Sequence, residues 1–151
     1  IARQAIESVG LSHYMEHAYT KLSGGEAQLV KIARAIAQET DMIIFDEPTA
    51  HLDFRHELNV IRFIADTVKN KGISVIMATH FPNHALFLES RGLPTRVAMM
   101  ENGVFGAVGK PSEVLNQENM ERIFKVKTKN FIDGNDRYIV PVDFCEGGEW
   151  R

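Results

Sequence analysis

Apolar positions change their period along the chain, and each change marks an element. Ile1, Ala2, Ala5, Ile6 and Val9 recur at helical spacing and stop at Gly10, a position suited to closing a helix. A second short helical piece is predicted over Ser12–Ala18. From Glu26 to Gln38, Ala27, Leu29, Val30, Ile32, Ala33, Ile36 and Ala37 make a broad apolar helix face. Met42-Ile43-Ile44-Phe45 is instead a short unbroken apolar run ending in two carboxylates, the pattern of a strand buried on both faces of a parallel sheet. Asp53 can cap a helix from Phe54 to about Asn70, which Gly72 would end. Ile73–Ala78 then reads as a second buried strand, so strand, helix and strand form a βαβ unit with a right-handed crossover.

Beyond Thr79-His80 the pattern becomes more local. Pro82 can open a helix that fades by Arg91-Gly92. Val97–Met100 and Val104–Val108 flank Glu101-Asn102-Gly103, and Asn-Gly between apolar runs predicts a hairpin. Ser112–Leu115 and Met120–Phe124 read as short helices. Phe131-Ile132 would pair with Tyr138–Val140 across Asp133-Gly134-Asn135-Asp136. Glu146–Arg151 are polar and carry no signal.

The totals narrow the class. At 151 residues, 44% hydrophobic and 25% charged, the chain has the size and composition of one globular domain. A net charge of −3 gives no global attraction to nucleic acid or anionic lipid. The single cysteine, Cys145, cannot form an internal disulfide, which points to a reducing compartment. No apolar run approaches the ~20 residues needed to span a bilayer. Because the chain begins with Ile in the middle of a helical pattern, it is expected to be the back part of something longer.

Asp46 and Glu47 end the first buried strand, where α/β proteins place ligands and reactive groups. An Asp there can hold Mg²⁺, and the following Glu can accept a proton from an attacking water. Pro48 stiffens the exit. The plainer reading is a solvated Asp-Glu turn. In Leu22-Ser23-Gly24-Gly25-Glu26-Ala27-Gln28, Ser23-x-x-Glu26 is a capping box. Two adjacent glycines go beyond what a cap needs and suit backbone that approaches a phosphate. His80, just past the second strand, could bond a terminal phosphate or order the attacking water, although a lone histidine at a strand end is more often a polar loop residue. The pairs His13/His17 and His80/His84 have helical metal-ligand spacing but no evident third ligand. Gly109-Lys110 imitates a phosphate-binding loop, but Gly103 is one residue too far away and Pro111 stands where Ser or Thr is required.

Together these pieces resemble an ATP-binding-cassette (ABC) ATPase over about Ile1–Val142. "LSGGEAQ" resembles the signature LSGGQ, with Glu26 in its variable last position. "MIIFDEPTAHLD" resembles Walker B, the catalytic glutamate and the D-loop, and Thr79-His80 resembles the switch-histidine motif. "HLD" together with "ENGVFGAVGKPSEVL" is similar to importer ATPases of iron-siderophore, haem and cobalamin systems. A translation-type cassette ATPase ranks second and a non-catalytic interaction module third.

The resemblance implies an α/β fold, the C-terminal part of a P-loop NTPase (RecA-like) parallel sheet with flanking helices. Residues 1–38 would end the helical subdomain, and 39–151 would form the C-terminal part of the core with terminal β-hairpins, the P-loop part being absent. It implies two ATP molecules sandwiched with a second ABC ATPase subunit, head to tail. Ser23, Gly24, Gly25 and Glu26 would grip the partner-bound phosphate, Asp46 would position Mg²⁺, Glu47 would polarise water, His80 would contact the γ-phosphate, and Asp53 would communicate across the interface. Transmembrane permease subunits would be the further partners, with the ATPase peripheral on the cytoplasmic face of the membrane and no nucleic acid involved. Without a P-loop, this chain alone is expected neither to bind ATP tightly nor to hydrolyse it. A missing P-loop strand would leave Ile43, Phe45, Val75 and Met77 short of cover and the isolated chain prone to aggregate.

Overall fold

The computed structural model describes residues 1–145, so the polar tail noted above, Glu146–Arg151, lies outside the described residues. Two compact units divide the chain, one over Ile1–His80 and the other beginning at Phe81.

In the first unit, α1 (Ala2–Ser8) packs on α2 (Gly24–Ile36), with 3₁₀ turns at Ser12–Tyr14 and Tyr19–Lys21 between them. The helical piece expected over Ser12–Ala18 is therefore a single short turn at Ser12–Tyr14, the second turn lying beyond it, in keeping with a stretch that lacks an apolar stripe long enough to nucleate a helix. Strand β1 (Met42–Asp46) pairs in parallel with β2 (Ser74–Ala78) and puts Ile44 opposite Ile76 and Asp46 opposite Ala78. Helix α3 (Phe54–Lys71) makes the crossover. Asp53 caps it, and Gly72 ends it at φ 66, a left-handed conformation that glycine adopts without a Cβ penalty. The core holds Leu29, Ile32, Ala33 and Ile36 from α2, Val60, Ile61, Ile64 and Ala65 from α3, and Ile43 from β1.

The strands are not buried on both faces. Ile43 is buried and Phe45, Val75 and Met77 are half-buried, whereas Met42, Ile44 and Ile76 are exposed, Ile44 at 71%. The residues short of cover are thus the alternate set from the one expected. Successive strand side chains point to opposite faces, and only the face of Ile43 lies on the helices.

In the second unit, α4 (Pro82–Ser90) opens at its proline as expected. Strands β3 (Val97–Glu101) and β4 (Val104–Gly109) form the Asn-Gly hairpin, with Asn102 at φ 50 and Gly103 at φ 80, the two positive values of a type I′ turn. The short helices α5 (Pro111–Val114) and α6 (Gln117–Asn119) follow, α6 running into a π turn over Met120–Phe124. A long hairpin, β5 (Val126–Asp133) with β6 (Asp136–Phe144), completes the unit and turns at Gly134-Asn135. Its core is Leu86, Met99, Val114, Leu115, Met120 and Ile139. A Cβ at Gly109 would come 2.8 Å from Val114, so packing accounts for the glycine that imitates a phosphate loop. Among the described residues, no helix is long and apolar enough to cross a membrane.

Candidate functional site

Every residue given a role toward ATP lies in the first unit, at the end of β1, on the loops leaving β1 and β2 and at the N-termini of α2 and α3. Beyond Asp46 the ladder continues for one more bond, Glu47 N–H donating to Ala78 O at 3.0 Å. Glu47 has φ 45, left-handed for a residue with a side chain, a conformation that costs on the order of 1–3 kcal/mol and is held by its surroundings. Those surroundings include the turn that follows, in which Ala50 N–H donates to Glu47 O at 3.1 Å and Pro48 takes the position where a fixed φ is favourable. The turn aims the Glu47 carboxylate at His80, whose Nδ1–H donates to Glu47 Oε2 at 2.8 Å. Residues 33 apart in sequence thus meet at one end of the parallel pair. The imidazole is 61% exposed and the carboxylate 35% exposed, so both are open to a ligand.

The signature segment folds as a capping box. Ser23 Oγ accepts from Glu26 N–H at 3.3 Å, and Glu26 Oε2 accepts from Ser23 N–H at 2.8 Å. Hydrogen bonding from the Tyr14 hydroxyl, followed by that from Ser23, holds the Glu26 pKa down to about 2. The same bond raises the Tyr14 pKa, because ionisation would set a phenolate beside a carboxylate. Gly24 is exposed, with open space where a Cβ would stand. Gly25 differs: it is buried, and a Cβ there would lie 2.4 Å from Cδ2 of His56 and 2.6 Å from its Cγ. One of the two glycines therefore has a packing reason that the sequence reading missed.

Asp53 Oδ1 accepts two bonds at 2.8 Å, from the backbone N–H and from Nδ1–H of His56. These bonds, the backbone one foremost, lower the Asp53 pKa. One turn into α2, Gln28 Nε2 donates to Pro48 O at 2.8 Å and ties the signature helix to the Glu47 turn. The sequence reading left out His56 and Tyr14; an apolar-polar pattern gives no sign of contacts made between elements.

The donor set bears on Mg²⁺. Among the described residues, no cluster of three or more His, Cys, Asp or Glu could hold a metal unaided. Mg²⁺ is commonly held by one or two carboxylates together with substrate phosphates. The exposed Asp46 carboxylate fits that partial role and not a resident metal centre.

A family model described as ABC transporter matches residues 1–50. The chain is 33% identical over 124 residues to the molybdate import ATP-binding protein MolC of Haemophilus influenzae, an alignment covering 82% of this chain and 47% of the relative. The iron(3+)-hydroxamate import ATP-binding protein FhuC of Bacillus subtilis is 31% identical over 133 residues, 88% of this chain and 48% of the relative. The chain belongs to the ABC transporter ATPase family. An ABC transporter solved in an inward-facing conformation superposes with a TM-score of 0.81 at 27% identity, covering 96% of this chain and 56% of that one. The α/β fold is therefore that of the ABC ATPase domain. The chain spans about half the length of the curated relatives it matches.

Proposed function

We propose that this chain is the signature and Walker B portion of an ATP-hydrolysing subunit that powers an ABC importer. The observation that carries the proposal is the 2.8 Å bond between His80 Nδ1 and Glu47 Oε2 at the end of the parallel strands. A carboxylate held by one oxygen keeps the other for a water, so Glu47 is the general base. His80 orients that carboxylate and contacts the γ-phosphate. Asp46 is the carboxylate for Mg²⁺, which when bound neutralises charge developing on the phosphate oxygens.

Ser23, Gly24 and Gly25 grip a phosphate bound mainly by a second ABC ATPase subunit, using the free N–H groups and positive dipole end of α2. Glu26 keeps Ser23 in place for that contact through the capping box. Asp53 communicates across the head-to-tail interface. Residues 1–38 belong to the helical subdomain and 39–151 to the core. Closure on ATP drives transmembrane permease subunits from the cytoplasmic side. The cargo class is a metal chelate such as an iron-siderophore, haem or cobalamin; the relative named for iron(3+)-hydroxamate import supports this reading. No G-x-x-x-x-G-K-[ST] loop lies within these 151 residues, so they are inactive by themselves and act as part of the intact protein.

Steady-state ATP hydrolysis by the intact protein tests the proposal. Glu47→Gln should lower kcat by about 10²–10⁴-fold with little change in KM, the signature of a lost general base. A Glu47→Gln enzyme with wild-type kcat would remove Glu47 from the role.

A further inference from the structure

We propose that His56 is a positioning residue through which Asp53 of the D-loop sets the geometry of Gly25 in the signature of the same chain. A helix cap requires one bond, and Asp53 makes it to the His56 backbone N–H. The second bond, from the ring Nδ1 to the same oxygen, exceeds that requirement and fixes the imidazole as well. The fixed ring then lies against Gly25 so closely that a Cβ would stand 2.4 Å from Cδ2, 2.6 Å from Cγ and 3.0 Å from Nε2. Close-packed atoms transmit displacement with little slack. Movement of the Asp53 carboxylate therefore carries the ring across the face of Gly25. One turn further on, the bond from Gln28 to Pro48 O holds α2, so the first turn of the helix is where such a displacement has its effect.

The three groups differ in exposure in a way that suits a relay. Asp53 is 67% exposed, within reach of another molecule, whereas the His56 ring is 31% exposed and Gly25 is buried. The consequence for catalysis rests on the ATPase reading above: a partner that displaces Asp53 would retune this chain's grip on the partner's phosphate. The structural linkage itself does not depend on that reading.

Two conservative variants of the intact protein separate the links. Asp53→Ser keeps a capping oxygen but is too short to hold the ring, while His56→Phe keeps a ring against Gly25 and loses the bond to Asp53. With ¹⁵N-glycine labelling, each should shift the Gly25 amide resonance, and the double variant should shift it no further than the larger single change. An unmoved Gly25 amide in Asp53→Ser, or additive shifts in the double variant, would overturn the linkage. In ATPase assays, His56→Phe should lower kcat by about tenfold or more with the KM for ATP nearly unchanged, since small misplacements remote from the chemistry act on the transition state. An unaltered kcat would overturn the catalytic consequence. A wild-type protein without ATPase activity would count against the ATPase reading alone, and the amide shifts would still decide the linkage.

Discussion

The two units use polar side chains in opposite ways. In the first, Ser23, Asp46, Glu47, Asp53 and His80 stand at helix and strand ends with much of their surface open to solvent. In the second, polar side chains tie elements to one another, through backbone and through other side chains. Asn83 accepts from Ile139 N–H at 2.8 Å and donates to Ile139 O at 3.1 Å, standing in for a neighbouring strand. Glu89 accepts from both the N–H and the hydroxyl of Ser112, Ser90 bonds Asp136, and Arg122 pairs with Glu101. A group sunk within the fold has little surface left for a ligand, so the chemistry lies where these side chains are open to solvent.

The largest test of this contrast concerns the apolar cores beneath it. Ile61 in α3 and Ile139 in β6 are each 2% exposed. Truncating either to Ala should cost about 2–5 kcal/mol in urea unfolding of the intact protein. The loss should be greater at Ile61. Its neighbours are closed by two packed helices, whereas Ile139 sits in a hairpin with an exposed outer face that can relax into a void. A greater loss at Ile139 would reverse this view of which unit is more tightly packed.

Next in size is Asn83→Ala, which removes one partner and leaves the Ile139 backbone groups unsatisfied. The cost should be about 1–3 kcal/mol, with faster hydrogen exchange at the Ile139 amide. Asp46→Ala, by contrast, should change stability little while impairing Mg²⁺-dependent hydrolysis. If both variants affected stability alike, the division between backbone-holding and ligand-facing polar groups would fail. Gly103→Ala is smaller again, at about 1–2 kcal/mol, because alanine must adopt the left-handed conformation that this turn requires.

These positions also show which parts of the fold were legible. The Asn102-Gly103 turn, the Ser23/Glu26 box and the Asp53 and Gly72 helix limits depend on residues close in sequence, and each occurs where the pattern placed it. The strand ends carrying Asp46 and His80 were legible for a different reason, since a βαβ unit returns its strands to the same edge. The uncovered face was not legible. Met42–Phe45 is apolar throughout, so it lacks the alternation that would say which side is exposed. The seating of His56 on Gly25 depends on the separation of α2 and α3, which no local spacing encodes.

The smallest effect is the pH response of the signature cap. The Glu26 pKa is about 2 in the folded protein against an ordinary 4.5, chiefly because Tyr14 and then Ser23 bond the ionised carboxylate. A folded-state pKa below the unfolded one makes ionised Glu26 stabilising above about pH 4.5, and that contribution fades as pH falls toward 2. Glu26→Gln keeps an oxygen for Ser23 N–H but does not titrate. Wild type should therefore exceed Glu26→Gln in melting temperature by a constant margin above pH 4.5, and the margin should shrink between pH 4.5 and 2. Because the carboxylate is partly exposed, added salt should reduce the margin throughout. Tyr14→Phe removes the principal cause of the low pKa, so the margin should then vanish at a higher pH than in wild type. If Tyr14→Phe leaves the acid limb unmoved, Ser23 alone holds the carboxylate and the cap is as local as the hairpin turns of the second unit. If the limb moves, the signature is set by a contact between elements, and its acid response differs from that of a plain capping box.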